Sequence, residues 1–492
     1  MSHCNSPDRQ FSRRVEAIPG LGFGLSVDVY SPDLFELMNR LGQAGQRPAY
    51  LEIFRAGTEV LRKVSRCLPD VPFAYHGEGL WITQPDFSAA PLVNEELDDA
   101  LLHVEILNSP WLNHECAAKQ MAGYSFGTYL PPLYTADSAR AVARNIAWVQ
   151  QRMDERGRSG NAFGPLFVLE MPPLTYFMAG TMAVPDYFRL ITDVTPCGLV
   201  LDIGHLWTLF RYSDAGRRSS IEQFVDRFLD EFPMERVIEI HVAGLAPHEA
   251  AMPDSEREHY PEWIDAHAAP IPPVSWTMLE QVLSHPGLRN LRGIALEVDT
   301  KPIERTVEEF QGACDRFSAT IRCLLRRESP AVGAVSTAEV CLGVQNGDID
   351  YRRLEADYAE YAQIASGQRP PTGRIWRGVA EDCIGLERYV HDYMPHEILH
   401  WGGDLADMFP ETCGSLSEAG VVLTEFVPWW FQKPRPLTRP YDFFLLKIDR
   451  VLEFVEERAP ALMEVARREA DVLRSAYADA NAGVAPFMEF GR

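Results

Sequence analysis

The sequence has no Cys-x-x-Cys pair, although nine cysteines are scattered from Cys4 to Cys413. An odd, dispersed set suits neither a disulfide framework nor a thiolate metal site; it reads as reduced core thiols in a cytoplasmic protein. Basic charge is scarce as well. The 46 Lys and Arg residues against 70 Asp and Glu leave a formal charge of −24, which argues against a nucleic-acid backbone or an anionic membrane as the main partner. No apolar run reaches the roughly 18 residues of a membrane span, and no apolar targeting segment opens the chain. A Gly-x-Gly-x-x-Gly turn after a strand is also missing, which removes the phosphate-binding mark of a doubly wound dinucleotide sheet. Internal repeats and low-complexity tracts are absent too.

What is present is a 492-residue chain, 46% hydrophobic, long enough for more than one domain and at least one large core. After a polar lead over residues 1–19, short strand-like runs alternate with amphipathic stretches, the pattern of parallel βα units. Strands are expected at 21–29, 50–54, 73–76, 111–115, 166–171, 198–202, 236–242 and 293–298. Helices are expected near 33–44, 57–67, 97–107, 137–154, 184–193, 219–231, 275–285 and 304–327. Eight strands with helices between them predict an α/β fold, a (β/α)8 TIM barrel over residues 20–328. The stretch over residues 329–339, small and uncharged through Thr337, reads as a linker. Residues 340–492 read as a smaller, mainly α-helical domain, with helices near 351–366, 378–392, 441–457 and 460–481.

The chemistry gathers at the C-terminal ends of the expected strands, where such barrels display it. Strand three ends in Tyr-His76-Gly-Glu, strand four in Asn-His114-Glu115 and strand five in Leu-Glu170-Met-Pro. Strand six ends in Leu-Asp202-Ile-Gly-His205, placed where a strand hands over to a loop. Strand seven carries Glu239-Ile-His241, a loop after it carries Asp265-Ala-His267, and strand eight ends in Leu-Glu297-Val-Asp299. Buried strand-end carboxylates such as Glu170, Asp202 and Glu297 are costly unless paired. Imidazole and carboxylate without thiolate favour iron, zinc or manganese, and open positions in such a shell suit iron(II) and O2 chemistry. The candidate metal ligands are His76, His114, Glu170, Asp202, His205, His241, Asp265, His267 and Glu297. They are too many for one ion, so carboxylates shared between ions are expected, with Glu170 and Glu297 central. Glu170, Asp202, His205 and Glu297 are the catalytic candidates. Glu52 is expected to orient a ligand or bind substrate, and Glu115 to be solvated or to stand behind the ligands.

The ordered set Tyr-His76-Gly-Glu-Gly-Leu, Asn-His114-Glu, Leu-Pro-Pro-Leu-Tyr-Thr (130–135), Leu-Glu170-Met-Pro, Gly-Leu-Val-Leu-Asp202, Glu-Ile-His241-Val-Ala-Gly, Ile-Asp265-Ala-His267 and Leu-Glu297-Val-Asp299 resembles a known family. It is the multinuclear non-haem iron-dependent oxidative enzymes, the iron oxidases of methanobactin-biosynthesis type. The resemblance runs from about Gly20 to Pro302. It implies a xylose-isomerase-like barrel, two or three irons cycling between Fe(II) and Fe(III), and O2 as co-substrate. It also implies oxidation of a cysteine or other residue in a peptide or amino-acid-derived substrate of natural-product biosynthesis. By position, His76, His114, Glu170, Asp202, His241, Asp265, His267 and Glu297 would be its ligands. The chain departs from its relatives at Met171, where they often have Asn, and at His205, which replaces an Asn oxygen with a His nitrogen at a ligand position.

In the C-terminal part, His396-Glu397-Ile-Leu-His400 matches the zinc-protease pattern, with Glu418 as the best third donor. Gly402-Gly403 follow at once and would fray such a helix, so ordinary helix residues are the favoured reading. Relatives often act with a small helical partner that presents the precursor peptide, and segments around 407–410, 427–431 and 441–444 resemble that partner. Trp429-Trp430-Phe431 reads first as buried core or interface and second as a hold for a substrate segment. Two other functions compete with the oxidase: a divalent-metal isomerase or phosphodiesterase on a sugar-isomerase-like barrel, and a non-catalytic metal-binding scaffold.

Overall fold

The computed structural model describes residues 6–156, 163–213, 218–247, 263–325, 349–371 and 385–482. The expected linker and the first part of the helix expected near 378–392 lie outside the described residues. Among the described residues, twelve strands occur in chain order: β1 (Gly22–Val27), β2 (Leu51–Phe54), β3 (Phe73–His76), β4 (Trp111–Glu115), β5 (Ala118–Met121), β6 (Tyr124–Leu130), β7 (Leu166–Glu170), β8 (Gly198–Asp202), β9 (Val237–Val242), β10 (Leu245–Pro247), β11 (Trp263–Asp265) and β12 (Gly293–Glu297). Eight of them close a parallel barrel in the order β1-β2-β3-β4-β7-β8-β9-β12, and these are the eight strands expected from the sequence. The remaining four form two antiparallel ribbons, β5–β6 and β10–β11.

Along a strand, side chains alternate between the barrel interior and the surrounding helices. The inward set is apolar low in the barrel, where Ala74, Trp111, Leu166, Val168, Val200, Ile238 and Ala295 pack together. It becomes polar toward the strand C-termini. Parallel register then aligns the polar residues across strands: Ser26 pairs with both Glu297 and Glu52, Glu115 with Glu170, and Asp202 with His241. A register shift between Leu199 and Val200 lies opposite the start of β9, the kind of bulge that re-aims a side chain. Tyr50 fills the barrel axis because Gly24 and Gly293 leave room for it; a Cβ at either would come within 2.5 Å of its ring or hydroxyl.

Two expectations are corrected and a third is filled in. The polar lead holds a helix, Pro7–Ala17, whose Phe11 and Val15 plug the lower end of the barrel and whose Arg14 makes a two-pronged ion pair with Asp154 at 2.7–2.8 Å. Asp202 hands over to a helix, Ile203–Tyr212, not to a loop. Asp265 sits on a ribbon, paired across it with Leu245, not in a simple loop.

The C-terminal region is helical, with its main helices at Tyr351–Ala365, Met394–His400, Pro410–Glu418, Phe443–Arg458 and Met463–Asn481. Its apolar faces join the barrel's own core. Tyr358 bonds Ser138 at 2.8 Å, the Trp430 indole donates to Ser125 O at 2.8 Å, and the Tyr441 amide donates to Glu96 at 2.6 Å. The Trp429-Trp430-Phe431 cluster is buried in that junction. Among the described residues no helix is long and apolar enough to cross a membrane, and Cys67, Cys116, Cys197, Cys314, Cys323 and Cys413 are free thiols.

Candidate metal centre

At the C-terminal rim, donor atoms gather in four overlapping trios, each within 4.8 Å: Glu115, Glu170 and His205; Glu170, His241 and Glu297; Asp265, His267 and Glu297; and, deeper, Glu52, Glu239 and His241. Glu170 links the first two trios and Glu297 the second and third. Glu170 is at the centre. Its Oε2 receives Asn113 Nδ2 at 2.9 Å and faces His76 Nε2 at 3.2 Å; its Oε1 faces His241 Nδ1 at 3.2 Å and His205 Nδ1 at 3.7 Å. His241 also has Glu297 Oε1 at 3.2 Å from Nδ1, and Glu52 Oε2 at 3.0 Å from Nε2. The deeper carboxylates are held from below, Glu239 by the Tyr50 hydroxyl at 2.6 Å and Glu52 by Ser26 at 3.1 Å. Glu52 therefore stands behind His241, where a carboxylate fixes the tautomer of a metal-facing imidazole.

Asp202 is the N-cap of its helix, its Oδ1 accepting the His205 amide at 2.6 Å. His205 is held by Nδ1–H donation to Met171 O at 2.6 Å, and its Nε2 faces Asp265 Oδ2 at 3.1 Å. His267 lies between Asp265 at 3.3 Å and Asp299 at 3.3 Å, and Asp299 accepts the Asp28 amide. The glycine of Asp202-Ile-Gly-His205 suits this packing: a Cβ on Gly204 would lie 2.9 Å from Asp265 Oδ1 and 3.1 Å from Asp202 Oδ1, so both carboxylates would have to shift. Gly204→Ala is expected to destabilise the protein by about 1–3 kcal/mol, the usual cost of overpacking, with the loss read as a lowered Tm.

His114 is the expected residue that the structure does not bring to the rim. Its Nδ1–H donates to Glu115 O at 2.9 Å and its Nε2 accepts the Leu80 amide at 3.0 Å, so both nitrogens are committed to backbone. Burial lowers it to a pKa of about 4, a neutral ring. Glu115, expected to be solvated or to stand behind the ligands, is buried among the donors themselves. The signal for this was in β4 itself. Trp111, Asn113 and Glu115 share one parity and point inward, whereas His114 shares the outward parity of Leu112. Glu239 and Asn113 were likewise missed.

The cluster holds more carboxylate than cationic charge. Among the described residues no Lys or Arg pairs with any of these carboxylates. Glu115 Oε2, Asp202 Oδ2, Glu239 Oε2, Asp265 Oδ1 and Glu297 Oε2 are buried and have no hydrogen-bond partner. Protons take up the imbalance. Burial pushes Glu115 up to about 8, only partly opposed by His205; burial and the Glu52 charge push Glu239 to about 8. Burial alone would lower His76, but its bond to Glu170 and the charges of Glu52 and Glu170 raise it to about 9. His205 and His241 go well above the ordinary imidazole value for the same reason, against their burial. Glu170 is instead held well below the carboxylate range, because His241 and His76 outweigh its burial.

These shifts set a pH dependence for the metal-free protein. A group raised on folding stabilises fully below its unfolded pKa and loses that contribution as pH rises to its folded value. For Glu115 and Glu239 the window runs from 4.5 to about 8, and for His76 from 6.5 to about 9. The Tm of chelator-treated protein should therefore fall as pH is raised from 6 to 9. Divalent metal should reverse the trend, because it displaces those protons and binds better as they leave. A metal-free Tm that climbs over this range would contradict the assignment.

The His396/His400 pair is ordinary by comparison. The two rings stack 4.5 Å apart, His400 Nδ1 is bound to Asp404 at 2.5 Å, and among the described residues they join no three-donor cluster. Glu397, between them in sequence, points instead into the junction with the barrel, where burial raises it to about 8 against the opposing charges of Lys119 and Lys447.

A (β/α)8 barrel with a buried histidine–carboxylate cluster at its strand ends belongs with the barrels whose donor sets suit a divalent metal. The chain is a member of the family of RiPP precursor modification enzymes MbnB/TglH/ChrH, whose model matches residues 43–316. It is similar to a UPF0276 protein of Acaryochloris marina, 22% identical over 275 residues that make up 56% of this chain and 86% of the relative. A UPF0276 protein of Caulobacter vibrioides is 23% identical, covering 55% of this chain and 85% of that one. Among solved structures, endonuclease IV from Thermus thermophilus is 16% identical with a TM-score of 0.36, covering 61% of this chain and 99% of that one. A sugar phosphate isomerase/epimerase from Parabacteroides distasonis is 12% identical with a TM-score of 0.35, covering 63% and 97%.

Proposed function

We propose that the rim holds iron and that the protein is an O2-dependent oxidase that modifies a cysteine or another residue of a precursor peptide. The observation that carries this reading is the row of rim trios joined through Glu170 and Glu297, an oxygen- and nitrogen-rich donor set without thiolate that suits several ions sharing carboxylates. His76, His205, His241, Asp265, His267, Glu170 and Glu297 would hold them, and Asp202 would fix the first turn that carries His205. Bound iron(II) supplies one-electron redox chemistry and O2 activation. The chain's own residues do the rest: Glu52 and Asp299 orient His241 and His267, and the apolar barrel floor of Trp111, Val168 and Val200 keeps water from the lower side. The helical region supports a role in holding the peptide, since Tyr441 packs edge-on against Trp81 at 4.9 Å, on the loop that follows His76.

The test is anaerobic reconstitution with Fe(II), followed by O2, with oxygen uptake and the mass of a candidate precursor peptide both measured. Iron-dependent oxygen consumption coupled to a mass change is expected. Equal peptide modification by the zinc-loaded protein without oxygen would sink this reading in favour of hydrolytic or isomerising metal chemistry.

A further inference from the structure

We propose that the β4 ligand is Glu115 and not His114, so that one metal position is built from Glu115, Glu170 and His205. The proposal rests on reading the rim as a metal centre, and it assigns this chain's donors in a way that the motif Asn-His114-Glu115 does not suggest.

Three observations on the two neighbours carry it. First, strand parity puts them on opposite faces: Glu115 shares the barrel interior with Trp111 and Asn113, whereas His114 faces the outer layer with Leu112. Second, the hydrogen-bonding capacity of His114 is used up. A neutral imidazole has one donor and one acceptor nitrogen, and these are bound to Glu115 O at 2.9 Å and by the Leu80 amide at 3.0 Å. To ligate a metal, the ring would have to break one of two backbone bonds in a fully buried position, leaving an orphaned peptide group. Its ring edge also meets Trp81. Third, Glu115 is in the opposite state. It is 7% exposed, its Oε2 is buried with no partner, and its donor atom lies within 4.8 Å of those of Glu170 and His205. A buried carboxylate oxygen without a partner is costly, and a cation shared with Glu170 and His205 removes that cost.

Residue 114 then has a structural task. It ties the Leu80 end of the loop after β3 to the end of β4, and so holds in place the backbone that presents His76 and Glu115. The imidazole for this metal position comes from His205 in the first turn of the helix after β8, through Nε2 since its Nδ1–H is given to Met171 O, not from β4. The result is a carboxylate-rich position, with two carboxylates and one imidazole, beside the position of Glu170, His241 and Glu297.

The two assignments predict opposite behaviour. In chelator-treated protein, Glu115→Ala removes a buried carboxylate with a partnerless oxygen and is expected to raise Tm, whereas His114→Gln breaks two backbone ties and is expected to lower it. After anaerobic Fe(II) loading, metal per chain measured by elemental analysis should fall by one ion in Glu115→Ala, or that ion's affinity should drop by more than about 100-fold, beyond what loss of an outer partner alone costs. Glu115→His, which restores a donor on the same face, should regain the ion. Folded His114→Gln should keep the wild-type metal count, with an unchanged Co(II) absorption spectrum. Wild-type metal content in Glu115→Ala overturns the proposal, and so does loss of an ion from folded His114→Gln. Should the wild-type chain itself bind no metal, the reading of the rim as a metal centre fails, which is a different result from either.

Discussion

Glu170→Ala is expected to lose most of its bound metal and all oxygen-dependent turnover. Three imidazoles surround it: His76, His205 and His241 all stand within 3.7 Å of its two oxygens, and Asn113 holds it in place. It belongs to two of the donor trios, so its removal empties two positions where loss of Glu115 empties one. The metal-free protein should suffer too, with the opposite sign to Glu115→Ala. Glu170 is the anion that keeps His76 and His241 protonated against their burial; without it two buried cations lose their main partner, a change that costs about 3–5 kcal/mol where one member of a buried pair is removed. Glu170→Gln keeps the shape and the Asn113 contact but not the charge, and should lie between. Metal analysis and thermal denaturation of the three proteins, with and without chelator, measure this. Full metal content in Glu170→Ala would remove Glu170 from the centre of the site.

Much of this site was legible in the sequence, and the parts that were not have identifiable physical reasons. The barrel strands were readable because alternation and short apolar runs mark buried parallel strands. Glu170, His241 and Glu297 were readable because a charge at the end of such a run is buried, and a buried charge must be paired or bound to be tolerated. His114 sits in a motif that suits a ligand, yet its parity with Leu112, opposite to that of Trp111, turns it outward. Glu239 lies two residues before His241 on β9 and shares its inward face by the same alternation, so it was legible from His241. The N-terminal helix was hidden by composition. Its polar residues serve as anchors, with Arg14 bound to Asp154, and only Phe11, Val15 and Ile18 reach the barrel floor. Asp265 depends on pairing across a ribbon with Leu245, a non-local contact that no window of sequence contains.

The second large effect concerns the helical region. A chain ended after Leu325 is expected to lose the barrel's stability, not merely a peptide-holding surface. Phe126, Leu133, Tyr134 and Phe177 of the barrel side are buried in a core that continues into Tyr358, Tyr361, Tyr389 and Phe431, with ring contacts such as Phe177–Tyr389 at 5.0 Å and Phe126–Phe431 at 5.5 Å. An aromatic side chain buries about 150–250 Å², worth about 4–6 kcal/mol at 25 cal/mol per Å². Uncovering even half of that surface on a few such rings costs about 8–12 kcal/mol, comparable to the whole stability of about 5–15 kcal/mol of a folded protein. Polar ties go at the same time: Tyr441 to Glu96 and Phe126 O, Trp430 to Ser125 O and the Arg435 amide to Gly123 O. The truncated chain should therefore be insoluble or show no cooperative melt. A soluble barrel with wild-type Tm and metal content would instead make the helical region an appended unit whose contribution is confined to the substrate. The distinction matters for the site, because Glu96, which accepts the Tyr441 amide, also pairs with Arg55 at 3.2 Å. Arg55 directly follows Phe54, whose ring packs against His76 at 5.3 Å. Through that chain of contacts, the fit of the helical region against the barrel bears on where His76 stands beside Glu170.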